Sequence, residues 1–228
     1  MTAPKPKLRW FQYSLRTLLV FVTLCAIACS WLAVKMQQAK RQREAAAAIK
    51  KLGGMVEWSD PSGPAWLRSL LGDDFYRSVF RVSWQGTKVT DAGLEHLKGL
   101  NQLQYLDLTQ AKVTDAGLKN LKGLNKLLHL SLISTGVTDA GLDNLKGLGQ
   151  LKSLYLGGTQ VTDAGLEKLK GLNELKKLDL WGAQVTDAGL EHLKGLNQLL
   201  VLKLNQTKVT DAGVKKLQQA LPNCDIRR

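Results

Sequence analysis

The fold is decided by the stretch VTDAGLEHLKGLNQLQYLDLTQAK at residues 89–112, because close copies of it follow without interruption. Its opening Val-Thr-Asp recurs at residues 89, 113, 137, 161, 185 and 209, a constant spacing of 24. A fixed period of this length is typical of solenoid proteins, in which each unit stacks on the next. The copy that begins at residue 209 loses the pattern towards its end. We therefore predict five full units over residues 89–208 and a C-terminal capping repeat over residues 209–228.

Each unit contains two periodicities. Leu94, Leu97 and Leu100 recur every three residues and mark one face of a short helix, whereas Leu106 and Leu108 alternate as in a β-strand. The unit therefore reads as helix, turn, strand, turn. A helix of roughly eight residues is not stable by itself in water, so the units must stack to bury their leucines.

The threonine and the aspartate that open each unit are both residue types that cap helices. In the first unit either Thr90 or Asp91 can cap the start of the helix, and the aspartate charge suits the positive end of the helix dipole.

The ends of the array need covers. Val82 and Trp84 precede Leu106 and Leu108 by one full period, which predicts a diverged first strand. Residues 55–88 are therefore interpreted as an N-terminal cap that includes this strand. The amphipathic run WLRSLLGDDF at residues 66–75 is expected to help cover the first open edge.

The pattern LxxLxLxxT-x-VTDAGLxxL resembles the cysteine-containing type of leucine-rich repeat, over about residues 79–228. Threonine stands at residues 87, 135, 159 and 207 where that type often has Cys or Asn, and Ala111 and Ala183 depart from it. The resemblance implies an α/β leucine-rich-repeat solenoid. This would be a right-handed horseshoe with a parallel β-sheet on the concave side and short helices on the convex side, used to bind other proteins. Together with the segment before the repeats, the chain resembles bacterial single-anchor leucine-rich-repeat proteins.

The segment TLLVFVTLCAIACSWLAV at residues 17–34 carries no charge. As a helix it would be about 27 Å long, close to the thickness of the hydrocarbon core of a bilayer. We predict a basic tail at residues 1–16, a single transmembrane helix at 17–34 and a basic helical stalk at 35–54 that ends at Gly53-Gly54. Residues 1–52 contribute +9 of the formal net charge of +13, so the basic balance does not indicate a nucleic-acid partner.

Alternatives remain open for this segment. Ala26-Ile27-Ala28 has the form of a signal-peptide cleavage site, and Cys29 after it could be acylated. Four basic residues precede the apolar stretch and six follow it, so the positive-inside count barely discriminates between orientations. A short basic N-terminus followed by an apolar core is typical of an uncleaved signal anchor. That interpretation places the repeats on the extracytoplasmic side; with the other orientation, the basic stalk would meet anionic lipid.

Positions that differ between the units are free to serve a partner. Side chains that flank the two buried leucines of each strand face outward on the predicted concave surface, and nearly all of them change from unit to unit. Exposed aromatic residues beside charges are typical of protein contacts, and drift on an unconstrained surface is the alternative. Tyr155 and Trp181 are expected in adjacent strands. The predicted protein-binding residues are Tyr105, Asp107, His129, Ser131, Tyr155, Lys177, Asp179, Trp181, Lys203 and Asn205.

Other functions find little support in the sequence. His129 and Ser131 point the same way from one strand, but no acid or oxyanion donor accompanies them, so we predict that the protein is not an enzyme. The aspartates that recur once in every unit lack a calcium-loop pattern, and the three cysteines form no disulfide or zinc framework. We expect no cofactor, no small-molecule substrate and no nucleic acid. The predicted function is membrane-anchored protein binding through the concave face; a structural or self-associating envelope protein is the alternative.

Overall fold

The computed structural model of the chain describes residues 15–228, with the backbone alone for Leu15, Arg16 and Asp74. The chain forms two compact units, Met1–Gln38 and Ala39–Arg228. Helix α1, Leu15–Lys51, begins in the first unit, and its last turns belong to the second, which also holds the repeats. Most of the basic tail predicted for residues 1–16 lies outside the described residues.

Helix α1 runs for 37 residues without a break. It contains an 18-residue window of mean hydropathy 2.4 in which no residue is buried. Within residues 15–228 this is the one helix that is long and apolar enough to cross a membrane, and a signal sequence would have the same length and composition. The chain leaves the helix at Gly53, whose positive φ of 78° is readily adopted only by glycine. The predicted glycine stop is therefore present.

The strands of the repeats form one sheet in chain order. Its eight strands are β1 Met55–Trp58, β2 Val79–Ser83, β3 Tyr105–Asp107, β4 His129–Ser131, β5 Ser153–Tyr155, β6 Lys177–Asp179, β7 Val201–Lys203 and β8 Asp225–Arg227. β1 is antiparallel to β2, and every later pair is parallel. Leu106 pairs with Leu130, so the register advances by one repeat period from strand to strand. This sheet, with short helices between its strands, confirms the predicted solenoid fold.

The helices of the repeats are shorter than predicted. They are α3 Asp115–Leu118, α4 Asp139–Leu142, α5 Asp163–Glu167, α6 Asp187–Leu190 and the longer α7 Asp211–Ala220, after α2 Ala65–Leu71 in the cap. Most of them continue as one 3₁₀ turn, and the first repeat has only the 3₁₀ helix Asp91–Leu97. A 3₁₀ helix has three residues per turn, so leucines spaced by three fall on one face. The three-residue leucine spacing that predicted a helix thus also explains why the helix continues in 3₁₀ geometry.

The core consists of these leucines and the central strand leucines. Leu94 and Leu97 of the first repeat are fully buried, and Leu106 is 2% exposed. Each buried leucine side chain stabilises the fold by about 2 kcal/mol relative to an exposed one. Because every unit buries its leucines against its neighbours, stability belongs to the stack and not to single units.

A ladder of hydrogen bonds joins each unit to the next. The Thr162 hydroxyl caps helix α5 by accepting from the Ala164 N–H at 3.3 Å. The same threonine donates from its N–H and its hydroxyl to the Asp139 carboxylate of the preceding unit, at 2.8 Å and 2.6 Å. Equivalent pairs are Asp91–Thr114, Asp115–Thr138, Asp163–Thr186 and Asp187–Thr210. Threonine is therefore the side-chain cap from α3 onward, whereas Thr90 in the first repeat makes no capping bond. The aspartate that was expected to share the capping role bridges the repeats instead.

The N-terminal cover differs from the prediction in two ways. The predicted stalk is not free along its whole length, because Ala46 and Ile49 are buried in the core and the Gln42 side chain accepts from the Val79 N–H at 3.0 Å. Helix α2 buries none of its residues, and Trp66 and Leu70 are largely exposed. The edge of the sheet is instead covered by strand β1 and the last turns of α1.

The C-terminal cover follows the prediction more closely. Strand β8 pairs Ile226 with Leu202, at the position that Leu106 has in the first repeat. The Gln218 amide donates to the carbonyls of Leu221 and Cys224 at 2.9 Å and 3.0 Å, which ties helix α7 to the turn before β8.

Candidate functional site

The register of the strands brings the predicted site residues into columns on the outward face of the sheet, called here the sheet face. Tyr105 pairs with His129, and Asp107 pairs with Ser131. Neighbouring strands are about 4.8 Å apart, so side chains one period apart along the chain touch each other. The constant period therefore lines up residues that are distant in sequence.

An ordered stack of rings occupies the first column. The Tyr105 and His129 rings are parallel within 9°, with centroids 4.2 Å apart. On the other side of Tyr105, the Arg81 guanidinium lies 4.6 Å from the ring centroid. Arg81 is also paired with Glu57 of β1, at 3.6 Å between Nη1 and Oε1. Charge pairing and stacking thus hold the tyrosine in one orientation before any partner arrives.

A groove of about 360 Å³ opens beside this stack. Five predicted residues line it: Tyr105, Asp107, His129, Ser131 and Tyr155. The cap and the first strand contribute Met55, Glu57, Arg81, Ser83 and Gln85. The other predicted residues, Lys177, Asp179, Trp181, Lys203 and Asn205, do not belong to its lining. The structure therefore divides the predicted site in two.

The second group surrounds a buried carboxylate. Asp179 is only 8% exposed; its Oδ1 accepts from the Trp181 N–H at 3.0 Å, and its Oδ2 lies 3.2 Å from the Lys203 ammonium. Trp181 is 42% exposed and packs beside Gly158 of the preceding unit. The prediction that Tyr155 and Trp181 lie in adjacent strands is wrong, because Tyr155 pairs with Asp179, where β6 ends, and Trp181 lies beyond the strand. Of the two, Tyr155 alone lines the groove.

The Ser131 hydroxyl and the Asp107 carboxylate of the groove are engaged in structural bonds. The Ser131 hydroxyl lies 2.8 Å from the Thr109 hydroxyl, and Asp107 accepts from the Thr109 N–H at 2.9 Å. His129 stacks on Tyr105, and no hydrogen bond links it to Ser131 among the described residues. This geometry gives no activated nucleophile. In the same part of the chain, no group of three or more His, Cys, Asp or Glu side chains is placed to hold a metal ion.

The electrostatic environment of His129 is positive. Partial burial lowers its pKa below the ordinary value of 6.5, and the charges of Lys177, Lys152 and Arg81 lower it further. The imidazole is therefore neutral at pH 7. Three cationic side chains, in or directly before three different strands, thus lower the pKa of one ring in the groove.

Sequence reasoning omitted the contributions of the cap from the predicted site. Arg81 stands one period before Tyr105, so the repeat itself could have included it. Met55 and Glu57 had no such signal, because β1 lies outside the repeat and pairs antiparallel to β2. The wall that the cap adds to the groove depends on this pairing, and only the structure shows it.

Comparisons with known proteins agree with this architecture. The family described as Leucine Rich repeat matches residues 100–122 and 151–170. The structure of an internalin C2 from Listeria monocytogenes is similar at 30% identity and a TM-score of 0.50, over 65% of this chain and 70% of the other. No curated protein matches the chain in sequence.

Two further solved structures are less similar. An internalin from Listeria monocytogenes is 22% identical with a TM-score of 0.40, over 63% of this chain and 52% of the other. A leucine-rich-repeat protein from Leptospira interrogans is 18% identical with a TM-score of 0.40, over 59% of this chain and 45% of the other. The chain spans about half the length of these two. Because the internalin C2 likeness holds in sequence and in most of both chains, this chain belongs to the leucine-rich-repeat proteins.

Proposed function

We propose that this chain is a membrane-anchored leucine-rich-repeat protein that binds another protein through its sheet face. The observation that carries the proposal is the groove of about 360 Å³ with the Arg81–Tyr105–His129 stack along it. Tyrosine and arginine are enriched among the residues that dominate protein interfaces. Leucine-rich-repeat solenoids provide an extended sheet surface suited to such contacts.

The order of the groove favours binding. A side chain that is already held in one rotamer loses little entropy when a partner arrives, and that loss otherwise costs about 0.5–1.5 kcal/mol per side chain. Tyr105 is held between Arg81 and His129, and Tyr155 forms the opposite part of the lining. We assign the central contact to these residues. Lys177, Trp181, Lys203 and Asn205 would extend the contact along the sheet, with the buried Asp179 holding Lys203 and the Trp181 backbone in place.

The apolar part of α1 supplies the anchor in this proposal. Its residues from Thr17 to Ser30 are exposed, including the large apolar side chains Leu19, Phe21 and Ile27. Burial in hydrocarbon would remove this surface from water. We infer that residues 17–34 cross the membrane once and that the repeats lie on the extracytoplasmic side.

Cross-linking tests the binding role. We expect the full chain, cross-linked in cells of its source, to yield a defined complex with a different protein. The double variant Tyr105→Ala/Tyr155→Ala should lose most of this complex, because it removes both aromatic contacts of the groove. The matched control His96→Ala/Lys119→Ala changes two exposed residues of the helical side and should leave the complex unchanged.

Two results would contradict the proposal. The first is an equal yield of the complex from the groove variant and the control. The second is cross-linking only between copies of this chain, which would favour the structural, self-associating alternative. Circular dichroism of both variants checks that the repeats remain folded.

A further inference from the structure

Some of the cations at the sheet face have an acidic partner and others do not. Arg81 is paired with Glu57, and Lys203 is paired with Asp179. Lys152, Lys176 and Lys177 form no ion pair within the described part of the chain. All three lie at the start of β5 and β6, on the side of His129 away from Arg81. The face thus offers a cluster of unpaired cations beside the groove.

The register places this cluster within reach of the ring stack. Lys152 directly precedes β5, the neighbour of the strand that carries His129, and Lys177 lies two strands from His129, about 10 Å along the sheet. Long lysine side chains shorten that gap. Arg81 approaches the stack from the opposite end, 4.6 Å from the Tyr105 centroid. Positive charge therefore borders the Tyr105–His129 stack on both sides.

We propose that the groove binds an acidic peptide segment of the partner, with its carboxylates directed to Lys152, Lys177 and Arg81 and its backbone over the Tyr105–His129 stack. This inference rests on the proposed function and adds the chemistry of the partner. Charge complementarity argues for it, because unpaired cations at the rim of an interface select and steer partners of opposite charge. Exposed Met55 and the Tyr155 ring would contact the apolar parts of the same segment.

A nucleic acid fits the same face less well. A nucleic-acid-binding site usually presents a stripe of Lys and Arg side chains with few Asp or Glu side chains among them. Here Asp107 and Glu57 line the groove among the cations. The carboxylates of a peptide are on flexible side chains that can turn away from Asp107 and Glu57, whereas the phosphates of a nucleic acid are part of its backbone.

The probe for the test is a rhodamine-labelled octaglutamate peptide, and the protein is the full chain in nonionic micelles. We expect fluorescence anisotropy to show saturable binding that the octaglutamine peptide lacks. Lys152→Met/Lys177→Met should weaken binding roughly tenfold, because each exposed ion pair contributes up to about a factor of five. Lys119→Met/Lys122→Met removes the same charge from the helical side and should change binding less than twofold.

His129 provides a second readout at the site. The chain has only three histidines, so its imidazole signal can be followed by NMR beside those of His96 and His192. The charged groups around it are Arg81, Lys152 and Lys177, with Glu57 and Asp107 in the groove. A bound carboxylate favours the protonated ring, so octaglutamate should raise the pKa of His129 by roughly one pH unit. Binding should consequently strengthen as the pH falls from 7.5 to 5.5, and His129→Gln should abolish this dependence.

Specific outcomes overturn the inference. Equal weakening by the two double-lysine variants, tighter binding of octathymidylate than of octaglutamate, or an unchanged His129 titration would each do so. The proposed function is tested separately by the loss of the cross-linked complex in Tyr105→Ala/Tyr155→Ala. If the complex is lost but octaglutamate does not bind at the groove, the sheet face binds a protein that is not acidic. Only the inference about the partner's charge is then wrong.

Discussion

At Gly165 the absence of a side chain makes room for the preceding unit. A Cβ at this position would overlap the Asp139 carboxylate and approach Leu142 Cδ1 within 3.1 Å. The carboxylate cannot withdraw without losing the two hydrogen bonds that it accepts from Thr162. From the second repeat onward, the glycine of Asp-Ala-Gly is therefore required by the aspartate of the preceding unit, and not by its own backbone conformation.

Gly165→Ala should destabilise the repeats although alanine is the better helix former. Helix propensity favours alanine by about 1 kcal/mol, whereas crowding in a packed interior costs about 1–3 kcal/mol and also strains the ladder. We expect a net loss of about 1–2 kcal/mol, measured from the urea midpoint.

The control is Gly171→Ala, where a Cβ meets no atom within 4 Å and φ is not in the left-handed region. It should leave the midpoint unchanged or raise it slightly, since alanine restricts the unfolded chain. Equal midpoints for the two variants would refute the packing argument.

At the scale of elements, helix α1 combines two environments. Its early turns expose Ile27 to 66%, whereas Ile49 near its end is fully buried. Ile49 and Trp84 both lie beside Gly54 and belong to the hydrophobic core. The last turns of the helix thus serve as a capping repeat for the second unit.

The full chain offers a matched pair of substitutions to test this role. Ile49→Ala should cost about 3 kcal/mol, because it removes buried methylene groups and leaves a cavity beside Trp84. Ile27→Ala makes the same change in the same helix at a position outside the core, and should not alter the unfolding of the repeats. Thermal unfolding followed by circular dichroism in nonionic micelles distinguishes them. Similar transitions for both variants would mean that α1 is not part of the cap.

The period of the sequence predicted the repeated elements well and their ends poorly. Strand positions, inward leucines and parallel order follow from the constant spacing of the units, because stacking turns a period into a register. The end of α1 carries no repeat signal, and its run QREAAAAIKK is a good helix in any environment. Ile49 is buried because it packs on the end of the solenoid, and the local sequence of the helix does not show that contact. The same reason explains why β1 could not be placed.

At the scale of the whole molecule, the sequence did not show which side chains of adjacent strands lie against each predicted site residue. Five predicted residues meet at the groove because they lie on the neighbouring strands β3, β4 and β5, next to the cap. Asp179 was expected to be exposed for contact but is buried, because its carboxylate pairs with Lys203, accepts from the Trp181 N–H and lies against Gly157 of the preceding unit. Outward direction follows from strand alternation, whereas exposure depends on the size of the neighbours. The sequence of one strand does not show how large the neighbouring side chains are, and so it does not predict exposure.

If residues 17–34 anchor the chain as proposed, introduced cysteines report which side of the membrane the repeats occupy. Native Cys224 will not interfere, because burial, with the nearby Asp225 charge, raises its pKa to about 11 and keeps the thiol protonated at pH 7. Lys122→Cys places a thiol on the exposed helical side of the repeats, and Lys5→Cys places one before the apolar segment. Both are made with Cys25→Ser and Cys29→Ser.

If residues 17–34 act as an uncleaved anchor, a membrane-impermeant maleimide should label Lys122→Cys, once the outer envelope is opened, without disrupting the inner membrane. Lys5→Cys should react only after that membrane is permeabilised, because the positively charged N-terminus stays inside. The reverse pattern would place the repeats in the cytoplasm, where the basic turns of α1 would face anionic lipid. Loss of the Lys5→Cys label together with a shorter chain on a denaturing gel would instead show cleavage of a signal peptide. Labelling of the two cysteines therefore shows on which side of the membrane the repeats lie and whether the apolar segment is cleaved.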